Sequence, residues 1–175
     1  MPLTVSPSNY QAIQQGIASV AQTGQSTIQF NSSSISIGEV PSPDDLQKVD
    51  PVTGATAQFP YFSVRQGRLV GFATGLELNA PGDTGMRGIM QIEPVWDFDC
   101  YVFYEYRVDV PNYDKTAIAL VTMVQTFIEN YTINNTCALA NPHSWTMPYA
   151  QIGNQELVAA KWTLRCYEVL PTSYS

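Results

Sequence analysis

Histidine occurs once, at position 143, and charged side chains make up only 13% of the residues. A single histidine cannot complete a zinc site with three cysteines that lack any Cys-x-x-Cys spacing. Basic residues number eight against fifteen acidic ones and are scattered from Lys48 to Arg165, with no run and no basic arm. Nucleic-acid affinity comes mostly from neutralising phosphates, so the net charge of -7 argues against DNA, RNA or an anionic membrane as partner. The chain carries no Gly-rich phosphate loop, dinucleotide fingerprint or Gly-x-Ser-x-Gly elbow. No window has the length of a charge-free membrane span, so no membrane insertion is expected. The first residues, MPLTVSPSNY, lack the positive and apolar regions of a signal peptide. As written the chain is expected to be soluble, and it could equally be a piece of a longer polypeptide.

What fills the place of charge is Thr, Ser, Asn, Gln, Pro and Tyr, around a normal 45% of hydrophobic residues. A chain of 175 residues is expected to be one domain over 1–175, large enough for a core without disulfide staples. Its polar, weakly charged surface suits packing against copies of itself or recognition of neutral polar ligands.

The strongest pattern runs over 96–110, WDFDCYVFYEYRVDV. Phe98, Cys100, Val102, Tyr104, Tyr106, Val108 and Val110 alternate with Asp97, Asp99, Tyr101, Phe103, Glu105, Arg107 and Asp109. Two-residue alternation predicts a strand with one face on a core and the other in water. Residues 157–170 alternate likewise, with Val158, Ala160, Trp162, Leu164 and Cys166 on the apolar face. Pairing of these two strands would bring Cys100 and Cys166 into one core, as buried thiols or as a bridge. Further strands are expected at 27–30, 34–40, 59–65, 68–78 and 87–95. Gln66-Gly67 marks a hairpin between 59–65 and 68–78, and Gly71 and Gly75 suggest a bulge.

Ile13, Ile17 and Val20 recur at helical spacing after Ser8, a suitable N-cap, although Gly16 weakens the pattern. Residues 1–24 are therefore read as a helical segment or an arm that orders on a neighbouring subunit. Residues 117–133 are read as a strand, because Thr, Val and Ile lose side-chain freedom in helices. As a helix they would gather Ile118, Val121, Val124, Phe127, Ile128 and Tyr131 on one side. Residues 41–56, 79–85 and 134–154 have turn and loop composition. About eight strands and one or two short helices predict an all-β fold, a two-sheet antiparallel sandwich or jelly roll.

Asp97, Asp99 and Glu105 share one strand face, where carboxylates at i and i+2 lie about 6–7 Å apart. Glycoside hydrolysis uses such pairs, but solvent-facing carboxylates are expected on any alternating strand, and they are read as a solvated face. His143, in Asn-Pro-His-Ser-Trp, reads as a turn residue. No catalytic residue, metal site or cofactor is assigned, and Asn-x-Ser/Thr sequons at Asn31, Asn130 and Asn134 are expected by composition. The aromatics carry more information. Tyr101 and Phe103 on the polar strand face, and Trp145 and Tyr149 in the 134–154 region, are the expected receptor or interface contacts.

In its strand tally, its Thr/Ser/Asn/Pro/Tyr composition and its long turn-rich segments at 41–56 and 134–154, the chain resembles capsid proteins and projecting (spike) domains of small non-enveloped viruses. It departs from shell proteins in lacking a basic N-terminal arm. The resemblance therefore implies a projecting domain or external spike at the virion surface. Such a domain would be a homo-oligomer, non-catalytic, and would attach to a host-surface glycan or protein receptor. The other expectation is a carbohydrate-binding or lectin-like β-sandwich module.

Overall fold

The computed structural model describes residues 3–5, 7–23, 28, 35–38, 59–77, 89–105, 113–152, 155–168 and 172–174. The expected loop at 41–56, the turn at 79–85, most of the strand at 27–30 and residues 106–110 lie outside them. The element order is β1 (Leu3–Val5), α1 (Tyr10–Thr23), β2 (Ile35–Gly38), β3 (Tyr61–Arg65), β4 (Arg68–Glu77), β5 (Ile89–Glu105), α2 (Tyr113–Glu129), β6 (Leu139–Thr146), β7 (Tyr149–Ile152), β8 (Gln155–Tyr167) and β9 (Thr172–Tyr174).

The fold is mostly β, built on one seven-stranded sheet, β2 to β8, with β1 and β9 forming a separate two-stranded ribbon. The two strands legible from alternation are its centre. β5 pairs antiparallel with β8 from Val95↔Tyr167 to Glu105↔Leu157, which sets Cys100 opposite Trp162. β5 is longer than the sequence implies, because the expected strand at 87–95 runs straight through Pro94 into the next one. Each long strand carries two short partners in tandem. β4 and β3 line β5, and β6 and β7 line β8.

That arrangement corrects the expected hairpin at Gln66-Gly67. β3 and β4 both run antiparallel to β5, end to end, and β2 joins β3 in parallel. Gly67 is the joint between them. A Cβ there would lie 2.6 Å from Phe98 and 2.9 Å from Tyr10, so the backbone passes too close for a side chain. The Gly67 N–H also donates to the Tyr10 hydroxyl at 2.7 Å. The bulge falls where expected, between Leu69 and Gly71. Turn composition at 134–154 hid β6 and β7. Pro142 is tolerated there because, among the described residues, β6 pairs only with β8, and an edge strand can lack an N–H.

Residues 113–129 are helical, which overturns the strand reading of 117–133. Thr116, Ala119, Met123, Thr126 and Phe127 recur at three- and four-residue steps and are buried. The entropic penalty of β-branched residues is a few tenths of a kcal/mol each. Burying side chains such as Met123 and Phe127 stabilises by about 1.5–3 kcal/mol each, so packing wins. The Thr126 hydroxyl bonds back to the Thr122 carbonyl at 2.8 Å, which satisfies it inside the helix.

α1 and α2 together cover one face of the sheet. Ile13, Ile17 and Val20 of α1 and Met123 and Phe127 of α2 meet Phe62, Phe98, Val102, Trp162 and Leu164 in the main core. The described residues thus pair a sheet with helices, and the second facing sheet of a sandwich is not among them. Gly16, which weakened the helix pattern, has a packing reason. A Cβ on it would sit 2.8 Å from Ile133 Cγ2 and 3.2 Å from the Ile133 carbonyl. Cys100, Cys137 and Cys166 are buried free thiols. Cys100 and Cys166 share the core as the strand pairing implies. The thiol hydrogen bond between Cys166 and Cys137 lowers Cys137 and raises Cys166 from their ordinary values.

Candidate interaction surfaces

Register places the odd-numbered residues of β5 and β8 together on the face away from the helices. Cross-strand neighbours are Asp97 and Arg165, Asp99 and Thr163, Tyr101 and Lys161, Phe103 and Ala159. Arg165 grips Asp97 with two hydrogen bonds, Nε to Oδ1 at 2.8 Å and Nη2 to Oδ2 at 2.9 Å. Arg68 stands 3.9 Å from Asp97, and His143 Nε2 lies 3.6 Å away, beyond hydrogen-bond range. Asp99 accepts from the Thr163 hydroxyl at 2.8 Å and faces Lys161 Nζ at 3.3 Å. The Tyr101 ring has the Arg65 guanidinium and the Lys161 ammonium each 5.4 Å from its centroid, within cation–π reach.

Asp97 and Asp99 are therefore each neutralised by a neighbouring cation, with Asp97 buried and Asp99 partly open to solvent. Burial pushes the Asp97 carboxyl up, but the hydrogen bonds and charge of Arg165, aided by His143, outweigh it and hold the group below its ordinary range. Burial likewise pulls Lys161 down, and Tyr101 and Asp99 more than reverse that. A general acid needs a raised carboxyl pKa near working pH, and Asp97 shifts the other way. The Glu105 side chain lies outside the described residues.

A folded pKa below the unfolded value gives stability that is fully present above about pH 3.8 and lost as pH falls through the folded value. Asp97→Asn is accordingly expected to lower the urea midpoint at pH 7 by the equivalent of about 1–3 kcal/mol, less than a fully buried pair because Arg165 reaches solvent. The gap between wild type and variant should narrow below pH 4. A gap that stays constant from pH 7 to pH 3 would show that the ion pair contributes nothing.

The four aromatic residues expected as contacts do not form one site. Phe103 is 2% exposed, packed with Tyr61, Leu157 and Ala159 in a small second core. It stacks on the half-buried Tyr101 with centroids 5.5 Å apart. This corrects the reading of both as exposed. The polar face of β5 is wet only in part, and Phe103 has a structural use there. Trp145 and Tyr149 are exposed, at 57% and 67%. Tyr149 is the register partner of Val158, whose side of the sheet is the helix side.

That side holds a second surface. Ile118, Val121 and Ile128 of α2 are 58–68% exposed. With Leu120, Val124, Gln125 and Trp145, Val121 and Ile128 line a groove of about 360 Å³. Trp145 follows Ser144, which adopts a left-handed φ of 54° where the β6–β8 register shifts. The grouping of Ile118, Val121 and Ile128 on one helix side was legible, but not which way that side points. The buried side of α2 holds Thr116, Ala119, Met123, Thr126 and Phe127, while Ile118, Val121 and Ile128 on the opposite side stay exposed. Pairing of Asp97 with Arg165, and of Asp99 with Lys161, had no local signal, since the partners are more than 60 positions apart.

Among the described residues no group of three His, Cys, Asp or Glu side chains could hold a metal ion. No described helix is long and apolar enough to cross a membrane. No protein-family model matches the chain, and a search of curated proteins returns no significant match.

Proposed function

We propose that this chain is a non-catalytic viral structural domain, a capsid component or projecting domain that self-associates and offers a contact surface for host attachment at the virion surface. The observation that carries this reading is the outward-facing apolar side of α2, with Trp145 beside it. A contiguous apolar patch flanked by polar residues is the usual mark of a protein–protein contact. Low overall charge and carboxylates held in ion pairs support assembly over catalysis. The two-sheet sandwich typical of such domains is not needed for the proposal, because helices cover the core face of the described sheet. Sedimentation equilibrium of the purified chain should show a dimer or larger form. A strict monomer at high concentration overturns the self-association.

A lectin-like module is the second reading, favoured by the exposure of Trp145 and Tyr149 on the helix side. Aromatic faces stack on sugar rings without needing charge. A glycan array separates the readings. Binding that Trp145→Ala and Tyr149→Ala both abolish favours the module, and binding that neither alters removes the two residues from the site.

A further inference from the structure

The outward residues of α2 are Asp114, Ile118, Val121, Gln125 and Ile128, all exposed. Their steps are four, three, four and three, the spacing of a helix-pairing seam rather than of a helix lying on a sheet. The inward residues Thr116, Ala119 and Met123 are buried against the sheet, so the seam points directly away from the molecule. From this pattern, and resting on the self-association just proposed, we infer that two copies of this chain pair through α2, antiparallel about a two-fold axis.

The seam itself selects that orientation. In an antiparallel pair Ile118 meets Ile128 of the second copy, and Val121 meets Gln125. Every apolar seam position then has a partner near its own size or the stem of Gln125. The flanking positions decide the charges. Lys115, Thr122 and Glu129 lie along one edge of the seam, and antiparallel pairing sets Lys115 of one copy against Glu129 of the other, twice. Thr122 and Val124 sit across the axis from themselves. A parallel pair would leave both charges unmatched and bring Gln125 onto Gln125. Glu129 is already oriented, since Gln125 Nε2 donates to its Oε1 at 3.0 Å, which leaves Oε2 for the incoming ammonium.

A two-fold axis is the common closure for a soluble homo-oligomer, and a self-complementary surface is what it requires. The 17 residues of α2 span only about 25 Å, too short a seam to hold a coiled coil alone. Trp145, standing at the groove wall beside Val124 and Gln125, supplies the additional contact. Aromatic anchors at the edge of a pocket carry a large share of interface energy.

The test uses the full chain and reads association by sedimentation equilibrium, with thermal melts as a check on folding, since every changed residue is exposed. Val121→Glu should weaken association at least tenfold. Lys115→Glu and Glu129→Lys should each weaken it, by placing two like-charge pairs across the interface. An equimolar mixture of these two variants should associate as tightly as the wild type, because each interface charge again meets its opposite. Association that survives Val121→Glu overturns the α2 interface but leaves self-association standing. Association that Val121→Glu abolishes, while the mixture is no tighter than either single variant, overturns the antiparallel register. A monomeric wild type overturns both the inference and the reading beneath it.

Discussion

Replacing Trp162 by Ala is expected to lower the unfolding free energy by about 3–5 kcal/mol, one of the two largest effects in this chain. The indole is fully buried at the centre of β8, opposite Cys100 on β5. Its ring lies 6.2 Å from Phe62 on β3 and 5.9 Å from Phe127 on α2, so one side chain joins two strands and a helix. Removal loses the transfer energy and leaves a cavity that a close-packed core cannot collapse. For a chain of this size the melting temperature should fall by roughly 6–20 °C. Trp162→Phe separates two contributions. The indole Nε1 is buried with no hydrogen-bond partner among the described residues. An unsatisfied buried donor costs about 1–3 kcal/mol, which the Phe variant recovers while keeping most of the volume. Trp162→Phe is therefore expected to cost about 1 kcal/mol. Chemical denaturation of both variants checks this, and a Trp162→Phe loss well above about 1 kcal/mol would show that the N–H is satisfied in the folded chain.

The burial of Trp162 is legible in the sequence, because it sits on the apolar face of an alternating strand whose pattern matches that of β5. Alternation reports a local geometry, and β5 and β8 are buried on their even-numbered faces as their sequences imply. What alternation cannot report is what lies opposite. Asp97 and Asp99 read as a solvated face because their partners, Arg165 and Lys161, are brought there by a register set across the whole sheet. Phe103 read as exposed for the same reason, since the residues that bury it, Tyr61 and Leu157, come from two other strands. In α2 the error had another source. Its β-branched content argued for a strand, and apolar residues stand on both of its sides, Met123 and Phe127 inward and Ile118, Val121 and Ile128 outward. An outer side that is itself a contact surface removes the amphipathic contrast by which a surface helix is recognised. Residues 134–154 failed differently, because edge strands tolerate Pro and Asn that a central strand would exclude.

The second large effect is expected at Glu168, which is 1% exposed just beyond β8. No pattern in the sequence singles it out, yet it fastens two distant segments, the start of α1 and the middle of β5, to the end of β8. Its carboxylate accepts from the Ser8 hydroxyl at 2.8 Å, from the Asn9 backbone N–H, and from the Trp96 indole at 3.0 Å. Its own N–H donates to the Pro94 carbonyl at 3.0 Å, which fixes the backbone that aims it. Asn9 opens α1, since the Ile13 N–H bonds its carbonyl at 2.9 Å. Ser8, the N-cap expected from sequence, serves indirectly by accepting from the Tyr10 N–H at 3.1 Å and donating to Glu168. A carboxylate at this position meets both the unpaired N–H groups of the first turn and the positive end of the helix dipole. Glu168→Ala strips an acceptor from all three donors at once and is expected to cost about 3–4 kcal/mol, with water replacing part of the loss at the exposed Ser8. Glu168→Gln keeps the size but loses the charge and turns one acceptor into a donor facing a donor, at about 1–2 kcal/mol. Because the clamp holds one end of α1, the loss should be local before it is global. Hydrogen exchange at the amides of Ile13 to Ala21 should accelerate in Glu168→Ala more than exchange in the middle of β5. Uniform acceleration across both would mean that Glu168 supports the core as a whole and does not specifically anchor α1.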